Sequence, residues 1–169
     1  LLLLVAGWTI LPGSAVVWTL LALFCILFPF FRSTLTALGV HPVGESPSGY
    51  LWAVAQEVAS SAQRGVVIII FLLYLTTINL DAIGRAIIRR TITHQRLLEW
   101  TSHAVSERGH ARPLGEYIAR MWFASALSIG IALLVAFVAP QSLMLAAPLL
   151  ILWLLAPTIA YSISQPLKI

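Results

Sequence analysis

Charged residues are scarce in this chain, and that scarcity decides its class. Ten of the 169 residues are Lys or Arg and six are Asp or Glu, whereas 60% are hydrophobic. Because soluble domains carry roughly 25% charged residues, a soluble globular protein is excluded. The net charge of +4 does not indicate a nucleic-acid partner. An arginine excess facing anionic headgroups on the cytoplasmic side of a membrane accounts for it.

Cysteine and the familiar catalytic motifs are also missing. The single cysteine, Cys25, stands in an apolar run, which excludes a disulfide framework and a cysteine-based metal site. The sequence has no phosphate loop, zinc-ligand spacing or nucleophile elbow, so we predict no catalytic residues and no metal site here. The apolar runs hold no ionisable residue at depth, which argues against an ion-coupled transporter. Since Leu1–Leu4 lacks Met and a basic flank, we expect a piece of a longer protein.

What charge there is has an uneven distribution. Nine of the ten basic residues are arginines between Arg32 and Arg120. Short loops rich in Lys and Arg stay on the cytoplasmic side, so residues 33–120 are predicted to be cytoplasmic. The predicted fold is all-α: a polytopic membrane protein with two transmembrane helical hairpins, joined by cytoplasmic interfacial or amphipathic helices.

The two predicted hairpins occupy residues 1–32 and 121–169. The first span is truncated, because an apolar stretch of 11 residues falls short of the ~20 that cross a bilayer. Tight turns at residues 12–14 and 140–142 are placed on the periplasmic side, and the chain ends at the start of a cytoplasmic tail. Trp8 and Trp18 flank the first turn, as interfacial tryptophans do.

The central segment is harder to assign. Residues 33–49 are predicted as a loop and 50–64 as a short amphipathic helix. A short hydrophobic helix over 66–80, ended by Asn79 and Asp81, would measure only about 22 Å. Its length favours a position that does not cross the membrane. The alternative is that it crosses and residues 33–64 lie outside, which the arginine distribution also permits.

A basic amphipathic helix is predicted over residues 81–105. Such a helix lies among lipid headgroups, and the arginines predicted to contact them are Arg85, Arg89, Arg90 and Arg96. Trp100, at its end, has two interpretations: an interfacial anchor for the helix, or a substrate-binding platform that stacks on a sugar ring.

A stripe of small residues recurs every four positions in the second hairpin. Small side chains let another helix approach closely. The residues predicted to pack a helix in this way are Ala124, Ser128, Ala132 and Ala136.

Three groups of residues resemble one family. The central group is Asp81-Ala82-Ile83-x-Arg85, followed by Arg89-Arg90 and by Arg96-Leu97-Leu98-Glu99-Trp100-Thr101. The flanking groups are residues 6–14 with 18–20, and residues 150–157 with 162–167. In order and spacing they resemble the central membrane region of the cyclic β-1,2-glucan synthases. Three places depart from that pattern: Tyr161-Ser162, Gln165 and the more aliphatic stretch 66–80.

The resemblance implies a function that the residues alone do not. Members of that family are large glucosyltransferases of the bacterial inner membrane that use UDP-glucose and a divalent metal. Their glycosyltransferase and glycoside-hydrolase- or phosphorylase-like domains flank the membrane region in the same polypeptide. This chain would then be the multi-pass membrane module, without cofactors or catalytic residues of its own. The alternative is a membrane scaffold or permease-like subunit unrelated to glucan synthesis.

Overall fold

The computed structural model describes residues 1–39, 47–93 and 113–165, and every regular element in these stretches is helical. The helices are α1 Leu2–Thr9, α2 Ala15–Gly39, α3 Pro47–Ile88, α4 Leu114–Val138 and α5 Pro140–Ser164. A π-helical turn, Arg89–Thr93, continues α3. The four longer helices have the length and apolar composition to cross a membrane. The predicted all-α, multi-pass class is confirmed at this level.

The turn between α1 and α2 brings these two helices into close contact. Gly13 has a φ of 99°, which side chains other than glycine rarely adopt. The indole N–H of Trp18 donates to the carbonyl oxygen of Pro12 over 3.0 Å and closes the turn. A Cβ atom at Gly7 would overlap the Cβ of Trp18. Glycine is therefore required at position 7 for this approach of α1 to α2.

Gly7→Ala is expected to destabilise the fold by about 1–3 kcal/mol, the usual cost of overpacking. The obstructing Trp18 atom is fixed to the backbone, so relief requires one helix to shift. Gly130→Ala is the matched control, because no atom lies within 4 Å of its added Cβ. The apparent melting temperature in detergent should fall for Gly7→Ala and should stay level or rise for Gly130→Ala. Equal values for the two variants would contradict the close approach.

The long helix α3 corrects the prediction for the central segment. The separate short helix over 66–80 is wrong: one α-helix of 42 residues runs from Pro47 to Ile88. Asp81 does not end it, because its carboxylate accepts a hydrogen bond from Nε of Arg85, one turn later, at 3.0 Å. Asn and Asp inside a helix cost only a few tenths of a kcal/mol more than most residues. Residues 81–88 are thus the last two turns of α3, not the start of a new helix.

Other helix boundaries also extend beyond the predicted ones. α2 continues past the apolar run to Gly39 and contains Pro29, so the loop predicted over 33–49 is wrong for its first seven residues. Proline is tolerated within membrane helices because neighbouring groups satisfy the freed carbonyl. α4 begins at Leu114, and α5 begins at Pro140, where its first turn takes in the predicted tight turn.

Contacts at several levels show that α2 and α3 run antiparallel. The Tyr50 hydroxyl donates to the carbonyl oxygen of Leu38 over 2.7 Å near the end of α2. Farther along, Ser33 donates to Glu57 over 2.6 Å. Deeper still, Gly65 lies against Leu27. The two helices therefore lie along one another, and the chain runs in opposite directions in them.

The core is built from residues of all five helices, and α4 and α5 contribute most of them. Its largest fully buried side chains are those of Trp8 and Trp153. The other buried members of this cluster are Leu4, Ala22, Leu73, Ala124, Ile131, Val135, Ala146, Leu149 and Leu150. Many large apolar side chains point outward instead, among them Phe137 at 85% exposure and Met144 at 89%. An exterior with this many apolar side chains is favourable in contact with lipid and unfavourable in contact with water.

Candidate functional site

The centre of the molecule is a pair of tryptophans, Trp8 and Trp153. Their ring centroids lie 6.2 Å apart at an interplanar angle of 38°. The Trp8 indole N–H donates to the hydroxyl of Thr19 over 2.8 Å. The Trp153 indole N–H donates to the carbonyl oxygen of Ile69, in the middle of α3, over 3.0 Å. This tryptophan pair therefore connects α1, α2, α3 and α5 through satisfied hydrogen bonds.

Sequence reasoning missed this pair. The position of Trp8 beside a turn predicts an interfacial tryptophan but gives no sign that its side chain is buried against the other helices, at 1% exposure. The position of Trp153 is the one sequence feature that indicates burial. This residue lies 13 residues after the start of an apolar helix and far from either end. A tryptophan at that depth needs a partner for its N–H group.

The predicted small-residue stripe on α4 faces α5 in its first half. Ala124 and Ser128 are buried, at 2% and 1% exposure. The Ser128 hydroxyl donates to the carbonyl oxygen of Leu150 over 2.8 Å. Ala132 and Ala136 are half-buried, while Ile131 and Val135 occupy the buried face at their level.

Ser128→Leu is expected to overfill the contact between α4 and α5 at a cost of about 1–3 kcal/mol. The variant should give less folded protein and a lower melting temperature in detergent. Ser128→Ala separates packing from hydrogen bonding, since a hydrogen bond between membrane helices contributes only about 0.6 kcal/mol on average. A yield of Ser128→Leu equal to that of wild type would contradict this packing role.

The predicted headgroup arginines lie at the end of α3. Arg85 is paired with Asp81, and both side chains are more than half exposed, at 67% and 55%. Arg89 and Arg90 follow in the π-helical turn. Arg96 and the predicted sugar platform Trp100 lie outside the described residues.

A carboxylate not singled out by the sequence forms a polar cluster between α2 and α3. Glu57 Oε1 accepts hydrogen bonds from the hydroxyls of Ser33, at 2.6 Å, and Ser61, at 3.1 Å. Ser61 lies one turn after Glu57 on the same face of α3. The cluster holds the two helices together at the level where the apolar run of α2 ends.

Among the residues that the structure describes, no three of the His, Cys, Asp and Glu side chains come together as a candidate metal site. Comparison of the chain with protein-family models and with curated proteins finds no match. The arrangement of these residues is thus one of helix packing: buried indoles, hydroxyls and small side chains that hold long apolar helices together.

Proposed function

We propose that this chain is the membrane-spanning module of a bacterial cyclic β-1,2-glucan synthase in the inner membrane. The observation that carries the proposal is the ordered series of resembling residue groups over nearly the whole sequence. Among the described residues, the first group lies at the α1–α2 turn, residues 81–90 of the central group lie at the end of α3 and in the π-helical turn after it, and residues 150–157 lie within α5. The four apolar helices supply the membrane character that such a module needs.

In this proposal the module carries no chemistry of its own. UDP-glucose, a divalent metal and the catalytic carboxylates belong to the glycosyltransferase and the hydrolase- or phosphorylase-like domains of the same polypeptide. The module's role is to anchor those domains and fix their position relative to the bilayer. Its partners are therefore the lipid bilayer and its own flanking domains.

The proposed topology is the one in which α3 crosses the membrane. Two features support it. Because α3 is continuous and packs antiparallel along α2, it crosses the membrane if α2 does. The seven residues between the two helices reach at most ~25 Å when extended, which is less than the ~30 Å hydrocarbon core, so the end of α2 and the start of α3 lie on the same side. The chain between α3 and α4 carries seven charged residues, which keeps both helix ends on one side.

The charges then orient the module. Eight of the ten basic residues lie on the side of the α3 C-terminus, and Arg32 and Arg64 lie on the other. That distribution places the end of α3 in the cytoplasm and the α2–α3 connection in the periplasm. From Glu57 to Asp81 α3 rises about 36 Å, enough to carry its charged residues to the two faces of the bilayer.

The functional proposal is tested on the full-length gene product. Membranes containing it are incubated with radiolabelled UDP-glucose and a divalent metal, and the products are digested with a β-1,2-glucanase. Cyclic β-1,2-glucan formed by these membranes, and absent from membranes with an inactivated transferase domain, supports the proposal. Full-length protein without transferase motifs and without glucan product indicates instead the scaffold or permease-like subunit.

Trp100→Ala in that full-length enzyme distinguishes the two roles of Trp100. If the indole stacks on the growing glucan, glucan output falls or ring size shifts while protein level stays near wild type. Stacking on a planar ring contributes roughly 1–3 kcal/mol in the analogous case of nucleic-acid bases. Trp100→Phe should be milder, because it keeps an apolar face. A parallel loss of protein and activity would identify Trp100 as a membrane anchor.

A further inference from the structure

An amphiphilic groove lies between α2 and α3 and is separate from the tryptophan pair. It encloses about 500 Å³ and is lined by Phe30, Ser60, Gln63, Arg64, Val67 and Ile68. All of these except Phe30 belong to α3, at spacings of three and four that share one helix face. The polar members come first and the apolar ones one turn later. The groove therefore offers hydroxyl, amide and guanidinium groups at one end and hydrocarbon at the other.

The hydrogen-bond donors of the guanidinium in this groove are available to a ligand. Arg64 is exposed and makes no hydrogen bond or ion pair with another residue that the structure describes, while its charge interacts at longer range with the carboxylate of Glu57, two turns earlier on α3. The neighbouring carboxylate of Glu57 already accepts hydrogen bonds from Ser33 and Ser61. A guanidinium in this state is suited to a phosphate, to which it donates two parallel hydrogen bonds.

In the proposed topology the polar end of the groove lies near the lipid headgroups. The groove begins at Ser60, about one turn after Glu57, whose hydrogen bond to Ser33 marks the level where the apolar run of α2 ends. Arg64 lies about two turns beyond Glu57, beside Gly65, which packs against Leu27 and Phe30. The long stem of Arg64 lets its guanidinium reach back toward the headgroup layer. The apolar end, at Val67 and Ile68, points toward the hydrocarbon.

We propose that this groove binds one anionic phospholipid. The phosphate lies against the Arg64 guanidinium, with the Ser60 hydroxyl and the Gln63 amide as further donors. An acyl chain follows Phe30, Val67 and Ile68. The charge selects an anionic headgroup, and the apolar continuation selects a molecule with a hydrocarbon chain over a soluble phosphate. This inference concerns a part of the fold that the glucan-synthase proposal does not use.

Native mass spectrometry of the detergent-purified chain tests the site. The protein is titrated with phosphatidylglycerol or with phosphatidylcholine of identical acyl chains. One phosphatidylglycerol should bind about tenfold more tightly than phosphatidylcholine, because the choline ammonium of phosphatidylcholine offsets the phosphate charge that attracts Arg64. Arg64→Gln should remove this preference, and Arg64→Lys should retain part of it. Arg120→Gln, which removes an exposed arginine of α4, is the charge-matched control and should bind as wild type.

A second variant separates the groove from simple charge attraction. Val67→Trp fills the apolar end and leaves Arg64 in place, so it should also weaken phosphatidylglycerol binding about tenfold. Circular dichroism and size-exclusion profiles identify any variant that fails to fold. Wild-type binding by Val67→Trp, equal loss in Arg64→Gln and Arg120→Gln, or equal affinity for the two lipids would each overturn the proposal.

Discussion

Trp153→Ala is expected to lose about 3–5 kcal/mol of folding free energy, as a large-to-small change in a packed core does. The side chain is fully buried, contacts Trp8 and donates to the Ile69 carbonyl oxygen. Its removal leaves a cavity at the junction of four helices and takes away the additional hydrogen bond that the Ile69 carbonyl oxygen accepts beside its bond within α3. We expect the lower part of that range, because lipid is itself apolar and the transfer contribution is smaller than in water. The measurement is thermal unfolding in detergent, followed by size-exclusion fluorescence.

Two further variants show what the Trp153 side chain contributes. Trp153→Phe keeps most of the packing and removes the N–H group, so it should fall between wild type and alanine. Trp122→Ala removes an indole of the same size that is 61% exposed, and should have little effect. If Trp153→Ala and Trp122→Ala unfold at the same temperature, the tryptophan pair does not hold the core together.

The helices and their membrane character could be predicted from the sequence, because a long apolar run without charged residues is typical of a helix that spans a membrane. The continuity of α3 could not. Its residues 47–64 are Ala-rich and partly polar, whereas residues 66–80 are strongly apolar, and a change of composition suggested a boundary. Helix formation depends on backbone hydrogen bonds, which form in polar and apolar stretches alike. The helix therefore continues through the change of composition. The Asp81–Arg85 pair then stabilises the helix at the position where the sequence suggested its end.

The small-residue stripe shows a second limit of pattern reading. A strict spacing of four advances 400° around a helix of 3.6 residues per turn, so the stripe rotates by about 40° at each step. From Ala124 to Ala136 the accumulated rotation is about 120°. The buried face instead alternates spacings of three and four, at Met121, Ala124, Ser128, Ile131 and Val135. The first half of the stripe therefore coincides with the buried face, whereas Ala132, which still packs against the core, and Ala136 are half-buried.

The tryptophans show a third limit, which concerns partners. Interfacial placement is the usual position for a tryptophan near the end of a span. That pattern does not indicate that Trp8 is buried, because the ring that packs on it belongs to Trp153, 145 positions later. No local pattern encodes a contact between residues that far apart.

Cysteine labelling of intact cells should give an all-or-none pattern that decides the topology. In a Cys25→Ser background, a membrane-impermeant maleimide should label cysteines at Gly39 and Gln141 and should leave those at Ser14 and Gly115 unlabelled. The reason is that in the proposed topology α3, as a continuous helix along α2, carries the chain back across the membrane before α4 begins. Cysteine at Gly39 or Gly115 meets no atom within 4 Å of its Cβ, so these two variants should fold as wild type.

The same four positions distinguish the alternative, in which residues 33–120 stay in the cytoplasm. There the turns at Ser14 and Gln141 are both periplasmic, so these two would be labelled while Gly39 and Gly115 would not. The label at Gly39 is the sharper test, because the arginine distribution permits either side for it. After permeabilisation all four cysteines should react, which shows that an unlabelled site is protected by the membrane and not by burial. If the cysteine at position 14 reacts in intact cells and the one at position 39 does not, α3 lies on the cytoplasmic side and does not cross the membrane, despite its length.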